Sequence, residues 1–133
     1  MNLLRRLLIA VGLGKLVAPA RADGWIGTKA ANDQVRDQLL KLGDDGTAIR
    51  NVRHFFYRGS ADGSASVVDV TGYLAQLGLA ISDTEVAGGL IAEHASEVAS
   101  ASFDALTLRF VNDALGMGWQ YDGWECAVVH PAA

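Results

Sequence analysis

The spacing of apolar positions divides the chain into a short series of alternating elements. In "ANDQVRDQLLKLGDDG", Val35, Leu39, Leu40 and Leu42 recur at helical intervals, Asn32 or Asp33 can cap the start, and Gly43 stops the run. Residues 48–59, "AIRNVRHFFYRG", are rich in β-branched and aromatic side chains and end on a glycine, which predicts a strand. Its period of two puts Val52, His54 and Phe56 on one face and Arg53, Phe55 and Tyr57 on the other. Helical spacing returns in "SADGSASVVDVTGYLAQLG" through Val67, Val70, Leu74 and Leu77. Two short strands follow in "LAISDTEVAG" and "GLIAEHASEV", joined around Gly88-Gly89. In "SFDALTLRFVNDALGMG", Ser102 is a candidate cap and Phe103, Leu106, Phe110, Val111 and Ala114 form a buried stripe. "WECAVVH" reads as a last strand with Trp124, Cys126 and Val128 on one face, preceded by an Asp122-Gly123 turn.

The order is helix, strand, helix, strand, strand, helix, strand. An α+β fold is expected: a ferredoxin-like βαββαβ sandwich of one antiparallel sheet with helices on one face, plus an extra N-terminal helix. The right-handed crossover rule leaves few other topologies. The expected boundaries are residues 1–31 for an N-terminal extension and linker, and residues 32–133 for the domain.

The first residues support two readings. As a signal, Arg5 and Arg6 precede an apolar stretch from Leu7 to Leu13, Lys15 interrupts it, and Ala20-Arg21-Ala22 offers a cleavage site. That reading implies export. As an amphipathic helix, Leu3, Leu4, Leu7, Leu8 and Val11 form one stripe opposite the arginines, suited to an anionic membrane surface or a partner. No stretch approaches the roughly 20 apolar residues that a membrane span needs.

Charge sharpens the picture. Within 133 residues, 50% are hydrophobic and 20% charged, which is globular composition. The net charge of -4 is uneven: residues 1–43 hold seven Lys/Arg against three Asp/Glu, and residues 44–133 hold four Arg against twelve acids. An acidic body repels phosphate backbones, so direct nucleic-acid binding is disfavoured and a basic protein segment is favoured. The middle strand "GLIAEHASEV" also lacks the aromatics on which RNA-recognition modules stack bases. The single cysteine, Cys126, permits no intrachain disulfide and suits a reducing compartment.

Candidate chemistry concentrates in "YDGWE". Tyr121, Asp122, Trp124 and Glu125 are either a turn that sets the register of the last strand or a recognition patch. In the second case the aromatics give contact area and the carboxylates receive an arginine. His54 is either a hydrogen-bonded structural residue or part of that surface. Arg50 and Arg53 are expected to pair with Asp44, Asp45 or Glu125, as solvated pairs worth about 0–1 kcal/mol. His54, His94, His130, Asp122, Glu125 and Cys126 lack metal-ligand spacing. Cys126 alternates into an apolar strand as a small hydrophobe. No nucleophile elbow, phosphate loop or dinucleotide fingerprint is present, so no cofactor is expected.

A helix ending in "LGDDG", then Arg50, Val52, His54 and Tyr57 at fixed offsets, then "YDGWE" before an apolar strand, resemble the regulator of ribonuclease E activity B family over roughly residues 32–130. The resemblance implies a ferredoxin-like, cofactor-free, cytoplasmic inhibitor protein that binds the basic scaffold region of ribonuclease E and alters RNA turnover. The expected partner-binding set is Tyr121, Asp122, Trp124, Glu125, His54 and Arg50. A basic N-terminal segment and a chain end at "HPAA" depart from the characterised regulator, which carries an acidic C-terminal extension.

Overall fold

Thr28 starts the first helix, ahead of either expected cap. The computed structural model describes residues 10–11, 14–17, 24–59, 64–83 and 88–130. Helix α1 runs Lys29–Lys41, with the Thr28 side chain accepting the Ala31 amide. A cap oxygen satisfies one of the amides that a helix start leaves unpaired. Because Thr28 does this, Asn32 is carried into the helix and is fully buried. Gly43, at φ +84°, closes the helix as expected, its amide bonding back to Leu40.

Helix α2 spans Val67–Gln76, capped by Ser66, and α3 spans Ala101–Gly116. The cap of α3 is Ser100 rather than Ser102: its oxygen accepts the Phe103 amide while its hydroxyl donates to Glu97. That double engagement, two residues early, is not open to Ser102 inside the first turn. Phe103, Phe110 and Ala114 are buried as expected, with Leu106 and Val111 packed at the margin and Thr107 buried among them.

The strands are β1 (Ala10–Val11), β2 (Gly14–Val17), β3 (Arg50–Arg58), β4 (Ala80–Asp83), β5 (Gly89–Ser96) and β6 (Trp119–Ala127). They form one sheet in the order β1-β2-β6-β3-β5-β4, antiparallel throughout, giving an α+β architecture. One core holds Val35 and Leu39 of α1, Val70 and Leu74 of α2, and Phe103, Phe110 and Ala114 of α3. Against them lie Val52, Phe56, Leu90, Ala92, Tyr121 and Trp124 of the sheet. The three helices therefore share one face of the sheet.

The N-terminal expectation needs correction where it can be tested. Residues 1–9 and the Ala20-Arg21-Ala22 site lie outside the described residues. Val11, expected on a helical stripe, is in β1, and Gly14–Val17 pairs with Ala127 and Cys126 at the edge of β6. An open strand edge supplies backbone partners that a short helix containing Gly12 and Gly14 does not. Residues 26–31, expected as linker, also belong to the fold: Ile26 packs on the core and α1 begins at Lys29.

The last strand differs most from its expected form. It begins at Trp119, and Asp122-Gly123 lies in its middle rather than in a turn before it. Opposite β3, His54 pairs with Trp124 and Phe56 with Tyr121, so two residues, Asp122 and Gly123, face the single Phe55. This is a β-bulge, and Gly123 meets its geometry at φ +95°. A period of two would turn Tyr121 and Trp124 to opposite faces. The extra residue turns both toward the helices. Replacing Gly123 with Ala forces a side chain into that conformation, and urea denaturation is expected to show a loss of about 1–2 kcal/mol.

Candidate functional site

The six residues expected to meet a partner are all inside the protein. Tyr121, Asp122, Trp124, Glu125, His54 and Arg50 are each 5% exposed or less. In this conformation they have almost no surface to offer. What the structure brings together instead is a set of polar contacts that thread the core.

Trp124 anchors the first. Its indole Nε1 donates to Asn32 Oδ1 at 2.8 Å, and its ring meets Phe103 edge-on with centroids 4.9 Å apart. The Asn32 amide nitrogen donates to Thr107 and to Asp104, each at 2.9 Å. Thr107 in turn donates to the Gly27 carbonyl at 2.8 Å. Arg36 closes the network on Asp104, Asp33 and the Val98 carbonyl. One buried side-chain amide thus joins α1, α3, β6 and the segment before α1. Asn32 and Thr107 were missed from sequence. An Asn before an apolar run is also a cap signal, and nothing local separates the two roles.

His54 forms the second contact. Its Nδ1 lies 2.8 Å from the Tyr121 hydroxyl and its Nε2 lies 2.9 Å from Nε2 of His94. Phe110 meets its ring edge-on at 4.9 Å. Burial, reinforced by the neighbouring His94, holds the His54 imidazole well below its ordinary pKa, and burial lowers His94 in the same direction. The structural reading of His54 is the one that its surroundings support.

Two ion pairs complete the set. Arg50 clasps Asp44 with both side chains buried, and Arg50 also donates to the Ala127 carbonyl at 3.1 Å. Asp44 accepts the amides of Gly46 and Val129 as well. Burial alone would raise the Asp44 pKa, but Arg50 and these two amides outweigh it and hold the carboxyl below its usual value. Arg53, about one-third exposed, bridges Glu125 at 3.0 Å and Glu93 at 3.5 Å across the other sheet face, and its guanidinium lies over Phe55. The expected partners Asp44 and Glu125 are therefore correct, whereas the solvated character is not: Arg50–Asp44 is a buried clasp tying the loop after α1 to the end of β6. The reason is topological, since loop and strand end meet only in the folded sheet.

Burial pushes the Cys126 thiol up to about 11, which makes it an unreactive part of the apolar face. Among the described residues no group of three or more His, Cys, Asp and Glu could hold a metal ion, and no helix is long and apolar enough to cross a membrane. His130 is exposed, apart from the His54–His94 pair.

Removing one member of the clasp leaves an uncompensated buried charge. Asp44→Ala is expected to cost about 3–5 kcal/mol, read by denaturant unfolding. Because the folded-state pKa of Asp44 is depressed, its contribution is present above the unfolded value near 3.9 and fades as pH falls below it. Asn32→Leu leaves the buried Trp124 indole N–H without its acceptor, while the Thr107 hydroxyl keeps its bond to the Gly27 carbonyl. It is expected to cost about 1–3 kcal/mol, with the Trp124 fluorescence of the folded state changed.

The signature residues of this chain thus join the strands of the sheet to one another and to the helices. No curated protein matches the chain. A family model described as "Regulator of ribonuclease activity B" matches residues 29–126, from the first helix through the bulged strand, and the chain belongs to that family.

Proposed function

We propose that the protein is a non-catalytic regulator that binds a basic segment of an RNA-degrading enzyme and thereby modulates RNA turnover. The family match over residues 29–126 carries this reading. Charge supports the basic partner: residues 44–133 hold twelve acids against four arginines, a field that draws in cationic segments and repels RNA. The non-catalytic reading is supported by how the polar groups are used. Asp44, Arg50, His54 and Tyr121 are buried and engaged with one another's elements, so they hold the fold rather than face a substrate. The core strand order β6-β3-β5-β4 with helices on one face supports a ferredoxin-like arrangement. A buried, unreactive thiol suits a cytoplasmic setting.

The contact surface in this reading lies outside the signature motif. Tyr121, Asp122, Trp124, Glu125, His54 and Arg50 set the shape of the sheet, and exposed carboxylates such as Asp37, Asp45 and Asp69 supply the attraction. The test is capture of a basic ribonuclease scaffold peptide by the full chain, measured by calorimetry from about 50 to about 300 mM salt, a range over which the screening length shortens severalfold. Affinity is expected to fall steeply with salt. It is also expected to weaken by roughly two- to fivefold in the triple variant Asp37→Asn, Asp45→Asn, Asp69→Asn, if each lost charge contributes a few tenths of a kcal/mol. Binding indifferent to salt and to the triple variant would sink the charge-steered mechanism.

A further inference from the structure

The contact between two imidazoles in the core has a consequence independent of any partner. His54 Nε2 and His94 Nε2 lie 2.9 Å apart, and His54 Nδ1 lies 2.8 Å from Tyr121 Oη. A hydrogen bond between two ring nitrogens needs one proton on the line between them. With none, two lone pairs oppose each other. With two, two N–H groups collide.

Both neutral arrangements satisfy the chain. Either His54 Nε2–H donates to His94 while Tyr121 O–H donates to His54 Nδ1, or His94 Nε2–H donates to His54 while His54 Nδ1–H donates to Tyr121. A single added proton converts the first arrangement into the second with His94 as the imidazolium, provided that the Tyr121 hydroxyl rotates. A second added proton has no acceptor left on the line. We propose that the His54–His94 contact is a proton-operated latch that fastens β5 to β3, closed while the pair carries at most one extra proton and opened by the next.

The surroundings suit a latch of this kind. His54, on β3, is fully buried beneath Phe103 and Phe110 of α3, while His94, on β5, is only half-buried and gives the pair a route to solvent. Tyr121 faces His54 from β6, and Cys126 is the remaining titratable group on that strand's inner face. Helices α1 and α2 present Val35, Leu39, Val70 and Leu74 to this layer. The carboxylate nearest along α3, Asp104, is turned to Asn32 and Arg36. No described carboxylate faces the pair to stabilise an imidazolium, and both rings are accordingly held below the ordinary imidazole range. A depressed folded-state pKa contributes stability that is complete above the unfolded value near 6.5 and is lost as pH falls below it. Acid therefore opens the latch, and alkali leaves it shut.

The test follows histidine ring resonances of the full chain by NMR from pH 8 to pH 5, beside thermal unfolding of wild type and His94→Gln. The Gln amide can still bond His54 but cannot take a proton. The latch requires that each protonation step shift the resonances of both His54 and His94. It also requires that, over the range in which the closed pair carries no extra proton, the slope of stability against pH below about 6.5 be about two protons in the wild type and about one in the variant. Independent titration of the two rings in the folded chain overturns the latch. An unchanged slope in His94→Gln does the same, and if that variant does not fold, the wild-type resonances decide alone.

Discussion

One extra residue in β6 governs how the rest of the protein fits together. Asp122 and Gly123 share the place opposite Phe55, and the strand's inward face shifts from odd to even positions at that point. Before the bulge Tyr121 points to the helices, and after it Trp124 and Cys126 do. Tyr121 is thereby brought to His54 and Phe110, and Trp124 to Asn32 and Phe103. A regular strand would give one of these aromatics to the opposite face, and either the histidine pair or the asparagine network would lose its anchor. The glycine is required by backbone conformation.

The polar interior follows from this geometry. Burying a polar side chain is costly unless its hydrogen bonds are replaced. Asn32 meets that condition by reaching three residues, on α3 and β6. Arg50 and Asp44 meet it by bonding each other and the backbone at both ends of the clasp. Such groups add directional constraints that an apolar core lacks, since each has few ways to be satisfied at once. They tie the fold at three places: helices to sheet in the Trp124 network, strand to strand in the histidine pair, and the loop after α1 to the end of β6 in the clasp.

Much of the architecture was legible because it depends on local periodicity. Elements α2, β3, β4, β5 and α3 follow from apolar spacing, and the partners of Arg50 and Arg53 follow from the scarcity of arginines among many acids. The misreadings share a physical origin. Asn32 and Thr28 are both competent caps, and the choice depends on Trp124, far along the chain. Asp-Gly serves a turn and a bulge equally well, since both require a positive φ, and only pairing with β3 separates them. Charged and aromatic residues in one short motif look like a surface, because a sequence does not show that another strand and helix supply their partners. Val11 lies at helical spacing from Leu7 and Leu8, yet it is in β1, and Gly14–Val17 pairs with the edge of β6.

The burial of the motif separates the residues that mark the family from the exposed ones. "YDGWE" encodes a parity change on which the Tyr121–His54 and Trp124–Asn32 contacts both depend, so a substitution there disturbs them together. Exposed carboxylates such as Asp37 and Asp69 carry no such obligation, and the charge they contribute depends on the sum across the surface rather than on any one position. The strongest sequence signal thus marks the residues on which the fold depends, and they lie in the core rather than on the surface.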